Sequence, residues 1–378
     1  MRTLSLLLSA LSTCALVAEE PQLPTVKWRG SFWASAATSN QEAANGSLFL
    51  RPVDSTRGGL SLDGLTLGAD MDLGKGWSFR TTLLGGRLGE LVNLTNGQTG
   101  TLALPEAMLV WTGEKDVVRI GRMNTFLGME FTDGTQDLAA SRGLLFNFAV
   151  PFTQVGLNWH HSFTTSWSSD LWVFNGEDRI SDNNRGKTVG VGLNYNHGGA
   201  SDKFVSFGAY RGPEQQGFGE EALPGAEGRN RERLFANGQW VWGAFTLQWE
   251  AEHAREAMPA GVVGAEAATA TWRGFGLIGR FQVAPGWAVF GRAEQLKDDT
   301  GMRLAGDPSV AGLLEAGTLG TQGLDLTATA FCAGVERAWD KTFTRLELRT
   351  DRLNKDVQGK DGAFRSAMSL TWSVGTSF

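Results

Sequence analysis

Between residues 245 and 252, apolar side chains take every odd position (Phe245, Leu247, Trp249, Ala251) and Thr246, Gln248, Glu250 and Glu252 take the even ones. A period of two places the sets on opposite faces of an extended strand. The pattern returns at Val189, Val191, Leu193 and Tyr195 against Gly190, Gly192 and Asn194. It returns again at Leu346 and Leu348 against Arg345, Glu347 and Arg349. Charge at alternate positions is costly in a dry core. It is natural in a wall with hydrocarbon outside and water inside. A soluble sandwich would bury the apolar face between two sheets, and alternation alone does not separate the two arrangements.

The connections discriminate better. Tight turns fall at Gly74-Lys-Gly76, Gly113-Glu-Lys115, Thr164-Thr165, His197-Gly-Gly199, Gly243-Ala244, Ala284-Pro-Gly286 and Asp340-Lys341. Longer polar or Gly-rich connections lie between them, near 39–58, 89–103, 125–151, 177–186, 212–231, 256–270, 297–322 and 352–362. Short periplasmic turns alternating with long outer loops are the layout of a bacterial transmembrane barrel. The tally gives about 16 antiparallel strands, within a range of roughly 14 to 18, with both termini on the short-turn side. The fold class is therefore all-β, a closed transmembrane antiparallel barrel. The jump from Leu60 and Leu62 to Leu65 and Leu67 predicts a bulge at Asp63-Gly64.

Met1-Arg2, the apolar run Leu4–Val17 and the break at Glu19-Glu20 describe a secretory signal over residues 1–18, followed by one barrel domain over 19–378. Leu11-Ser-Thr-Cys14 loosely resembles a lipoprotein cleavage box, but Thr13 before the Cys fits it poorly. Removal of the signal leaves Cys332 without a disulfide partner. No later stretch has the length and apolarity of a spanning helix, so entry into a membrane requires a barrel.

At the C-terminus, Phe364, Met368, Leu370, Trp372, Val374 and Phe378 are read as one face, and Arg365, Ser369, Thr371, Ser373 and Ser377 as the other. An aromatic end in phase with the apolar face resembles the assembly signal of outer-membrane barrels, carried here by Trp372, Val374 and Phe378. An ordinary edge strand ending at Phe is the plainer reading. Trp77, Trp240, Trp242, Trp272, Trp287, Trp339 and Trp372, near strand ends, are expected in interface girdles. Sugar stacking in a secreted lectin is the alternative.

The segment after the fifth strand is too apolar for an outer loop. It carries Phe126-Leu-Gly-Met-Glu-Phe, Ser141-Arg-Gly-Leu-Leu-Phe and Pro151-Phe152, closing at Gly156. On these blocks, from about Gly121 to Gly156, the chain resembles bacterial porins and, among them, the OmpL-like beta-barrel porin-2 family. The resemblance implies that residues 125–151 fold into the pore, bringing Glu130, Asp133, Asp137 and Arg142 to a constriction. It also implies a homotrimer. Parity opposite each apolar face gives Arg29, Arg80, Arg119, Arg345, Arg349 and Arg365 as lumen residues, with Arg29 and Arg365 on one wall. Acids facing such a wall would set a transverse field. Scattered solvated charges are the plainer alternative.

Signs of catalysis are few. His160 and His161 point to opposite faces of a strand and make a poor metal clamp. Asp298-Asp299 and Asp182-Asn-Asn184 read as solvated loop tips. The net charge of −6 argues against a nucleic-acid partner. The expected function is a passive outer-membrane diffusion channel for ions and small hydrophilic solutes, not an enzyme, with no cofactor and no metal. Its expected partners are outer-membrane lipid, the barrel-assembly machinery and the solutes themselves. A plugged structural barrel, a barrel-embedded hydrolase and a secreted β-sandwich lectin are the other readings.

Overall fold

A computed structural model describes residues 24–43, 46–54, 59–217, 228–258, 268–304, 307, 310, 313 and 324–378. The expected export signal and Cys14 lie outside the described residues. The strands are β1 (Val26–Ser39), β2 (Leu60–Gly74), β3 (Trp77–Gly85), β4 (Ala103–Thr112), β5 (Asp116–Asn124), β6 (Thr153–Ser162), β7 (Trp167–Glu177) and β8 (Thr188–Asn196). There follow β9 (Phe204–Pro213), β10 (Asn230–Trp242), β11 (Phe245–Met258), β12 (Ala268–Ala284), β13 (Trp287–Asp298), β14 (Leu326–Trp339), β15 (Thr342–Gly359) and β16 (Gly362–Ser377). Each pairs antiparallel with the next, and β16 returns to β1 with Ser377 opposite Ser31, closing the barrel. Closure leaves no row of unpaired backbone groups facing lipid. No described helix is long and apolar enough to cross a membrane.

The short turns use left-handed backbone where the chain must reverse within two residues. Gly74, Lys75 and Gly76 have φ of 78°, 53° and 81°, a run that glycine flanks make affordable. At closure, Phe378 N–H donates to the Gly30 carbonyl at 2.9 Å, and Gly30 N–H returns a bond at 3.2 Å. A Cβ on Gly30 would lie 2.4 Å from the Phe378 ring, so the glycine makes room for the terminal aromatic.

Alternation sorts the faces as expected. Leu65, Leu67, Leu109, Ile120, Val191, Phe275, Leu346, Leu348, Leu370 and Trp372 are exposed on the outside. Ser31, Thr66, Asn158, Glu250, Glu294, Glu347, Ser369 and Thr371 are buried inside. The Asp63-Gly64 bulge is present: Trp33 pairs with Gly64 and Ala34 with Leu62, leaving Asp63 extra. Trp77, Trp242, Trp287, Trp339 and Trp372 are exposed at or near the short-turn strand ends.

Three expectations fail here. Trp272 belongs to no girdle: it is fully buried inside and donates its indole N–H to Glu252 at 3.0 Å. The expected connection at 352–362 is strand, because β15 runs to Gly359 and β16 begins at Gly362. Along that extension the β15–β16 register slips between Arg352 and Val357. The slip turns Phe364 inward, with its ring centroid 5.0 Å from that of Phe49, and leaves Arg365 exposed beside Asp356 at 3.0 Å. Parity carries a face assignment only as far as the next bulge.

Helix α1 (Arg87–Thr95) lies in the β3–β4 connection, where the sequence predicts only a polar or Gly-rich loop near 89–103. It buries Leu88 and Val92 against Leu84, Ala103, Val53, Phe146 and Phe152.

Candidate pore lining

Residues 125–152 turn into the barrel. Leu127, Met129, Leu144, Leu145, Phe146, Phe148 and Val150 are buried, with a π-helical turn at Leu145–Ala149. The apolar side chains drive this segment out of water, but its backbone polar groups then need partners. The wall from β11 to β16 supplies them. Glu250 accepts from Met129 N–H at 3.1 Å, Glu294 from Leu144 N–H at 3.0 Å, and Glu347 from Ala140 N–H at 3.0 Å. Arg345 donates to the Ala139 carbonyl at 2.9 Å, and Arg292 to the Ser141 carbonyl at 2.8 Å. The Ser141 hydroxyl donates to Glu347 and accepts from Arg292 at 2.9 Å and Arg349 at 3.0 Å. Wall acids also neutralise wall cations: Glu294 lies 3.0 Å from Arg292, Glu336 2.7 Å from Arg345, and Asp351 2.7 Å from Arg349.

The acids of the segment separate in this setting. Glu130 is held by Arg292 at 3.0 Å and by Gly143 N–H at 2.6 Å; burial raises its carboxyl pKa, and Arg292 pulls the other way. Asp137 is buried against Arg142 and accepts from Phe131 N–H at 2.9 Å. Burial lowers the Arg142 pKa, opposed by Glu130 and Asp54. Asp133 caps Thr135 N–H at 3.0 Å and has no ion pair among the described residues.

Facing the segment, part of the β1–β8 wall borders open space, while Trp172 and Phe174 of β7 pack against Phe126, Leu127 and Val150. Arg29 reaches Thr82 at 2.7 Å, Glu106 at 3.0 Å and Asp70 at 3.3 Å, and Arg80 reaches Asp70 at 2.6 Å. Arg119 donates to Asn158 at 2.6 Å, and Asn158 to Asp170 at 2.9 Å. A cavity of about 450 Å³ is lined by Arg29, Arg80 and Glu106 on one side and Glu130, Asp133 and Gln136 on the other. A second, of about 270 Å³, shares Arg80 and Glu106 and continues past Arg119, Asn158 and Asp170.

Thus Arg29, Arg80, Glu130 and Asp133 border one space, with Arg119 in the next. Arg345 and Arg349 face inward but are buried under the segment, and Arg365 leaves the lumen. The expectation of one wall for Arg29 and Arg365 fails because they stand at opposite ends of the barrel. Sequence reasoning passed over Arg292, Glu294, Glu336 and Ser141. Parity on β13 could have found the first two, since they alternate with Gly291, Ala293 and Gln295.

A family model described as "Putative beta-barrel porin-2, OmpL-like" matches residues 33–378. No curated protein sequence matches the chain. Among solved structures, the anion-selective porin from Comamonas acidovorans is 15% identical with a TM-score of 0.59, covering 94% of this chain and 100% of its own. OmpF of Salmonella typhi, in complex with daunomycin, is 11% identical with a TM-score of 0.60, covering 94% and 98%. The trimer form of OmpT of Vibrio cholerae is 10% identical with a TM-score of 0.57, covering 94% and 100%. At such identities the likeness is one of fold.

Proposed function

The chain belongs to the OmpL-like beta-barrel porin-2 family and is an outer-membrane porin, and from that premise we propose which residues govern its passage. Small hydrophilic solutes and ions pass along the β1–β8 side of the lumen, between Asp133 and Glu130 on the inner segment and Arg29, Arg80 and Arg119 on the wall. The observation that carries this is the shared cavity bordered by Arg29, Arg80 and Asp133. Most of these charges are already paired, leaving Asp133 and Arg119 as the least compensated. Two opposed charges across a narrow aqueous gap orient dipolar solutes more than they exclude either ion sign. The expected channel is weakly selective, without turnover chemistry, and assembles as a homotrimer.

Single-channel conductance in a planar bilayer under a salt gradient tests it. Asp133→Asn should move the reversal potential toward anions, and Arg119→Gln toward cations. If neither moves it while discrete steps persist, the solute path lies elsewhere. A silent bilayer from folded protein would favour a barrel plugged by residues 125–152.

A further inference from the structure

On the outside of β8–β12, small residues and exposed charge interrupt the lipid-facing surface. One row across it reads Val191, Ala209, Leu234, His253 and Arg273, each paired with the next across the sheet. The row toward the short turns reads Leu193, Phe207, Ala236, Ala251 and Phe275. The row toward the long loops reads Arg211, Glu232 and Arg255. Small Ala209, Ala236 and Ala251 among larger neighbours leave a dent in the wall. It consists of a groove of about 660 Å³ bordered by Leu193, Phe207, Leu234 and Ala251, running into one of about 510 Å³ bordered by Arg211, Leu234, His253 and Arg255.

The charge above the dent is unbalanced. Arg211 and Arg255 have side chains 66% and 60% exposed and share one acid, Glu232, at 3.3 and 2.5 Å. Arg273 is exposed and has no ion pair among the described residues. Unpaired cations on a barrel's outer face are destabilising toward the bilayer midplane and tolerated only near its rim. These three stand within a few residues of the long-loop ends of β9, β11 and β12. A guanidinium cluster there is matched by phosphate oxygens, which accept its forked donors.

We propose that this dent is a binding site for a phosphate-bearing lipid of the surrounding leaflet. Its phosphate lies on Arg211, Arg255 and Arg273, and an acyl chain fills the groove over Ala209, Ala236 and Ala251. The site needs only a barrel standing in a membrane and is independent of the path that solutes take.

Native mass spectrometry of the detergent-purified protein tests it, with dimyristoyl phosphatidylglycerol and dimyristoyl phosphatidylcholine added in turn. The wild type should retain the anionic lipid about tenfold better. The triple variant Arg211→Gln, Arg255→Gln, Arg273→Gln should lose that preference, whereas Glu232→Gln should strengthen it, because it removes the one acid from the cluster. Ala236→Phe should weaken retention of both lipids by filling the groove. Heat-dependent gel mobility confirms that each variant is folded. Unchanged preference in the triple variant overturns the site. So does full competition by inorganic phosphate, which would mean that no chain is bound. A change of oligomeric state in the triple variant, without a change in lipid retention, would make the face an interface between copies and also overturn it.

Discussion

The two sides of the barrel interior are built from the same kinds of residue and behave differently. On the β11–β16 side, Arg292, Arg345 and Arg349 are buried, each against a carboxylate and each donating to backbone or hydroxyl of residues 139–142. On the β1–β8 side, Arg29 and Arg80 have side chains 37% and 47% exposed and border an aqueous cavity. The difference lies in what covers them. The inner segment removes water from one set of ion pairs and leaves it on the other, and an ion pair's worth depends on that water. Lumen-facing charge is therefore scaffold on one wall and candidate selectivity machinery on the other.

The sharpest break between the sides should come from deleting one guanidinium on each. Arg349→Ala strands Asp351 in a buried site and should cost about 3–5 kcal/mol. Arg80→Ala should cost no more than about 1 kcal/mol. The temperature at which the folded gel band is lost should fall clearly for the first and hardly for the second. Equal losses would mean that the two walls are equally dry.

Gly143→Ala probes the seat of the inner segment. A Cβ there would lie 2.3 Å from a Glu294 oxygen and 2.8 Å from a Glu130 oxygen, pushing the segment off its wall. The expected cost is about 1–3 kcal/mol. It should come with altered single-channel conductance, and a conductance identical to wild type would show that the segment does not bound the path.

Acidity acts more gently, at the long-loop end between the two sides. Glu214, in the connection after β9, is pushed up to about 7 by burial, with Arg231 opposing and Glu177 adding to the rise. Its folded pKa lies above the ordinary 4.5, so the stability it contributes is full below about 4.5 and is lost as the pH rises through about 7. The wild type should melt at a lower temperature at pH 8 than at pH 5. Glu214→Gln should narrow that gap, and an unchanged gap would place the pH response in another group.

The smallest effect is the one nearest to function. Arg119→Gln leaves the hydrogen bond from Asn158 to Asp170 in place and should barely change stability, within about 0.5 kcal/mol. It should nevertheless shift the reversal potential, whereas Arg345→Gln, under the inner segment, should disturb folding more than selectivity.

Much of this barrel was legible in its residues. The alternation at 245–252, the short turns at Gly74-Lys-Gly76 and Asp340-Lys341, and the bulge at Asp63-Gly64 are local, and local backbone geometry decides them. Residues 126–152 could be seen to avoid water because Phe126, Leu144, Leu145, Phe146 and Phe148 have no polar face to turn outward. The inward position of Phe364, the exposure of Arg365 and the burial of Trp272 were not legible. Each depends on a register slip or on a neighbour far away in sequence.

The sequence by itself thus determined a closed wall of about 16 strands, its lipid face and the segment that must leave water. Alternation does this only together with the short turns set against long connections, which leave a closed barrel as the way to satisfy backbone and side chains at once. Only the tertiary structure decided which inward arginines stay wet. That depends on where one connection comes to rest across the lumen, as when Ser141 meets Glu347, 206 residues away in sequence. No local pattern encodes that contact.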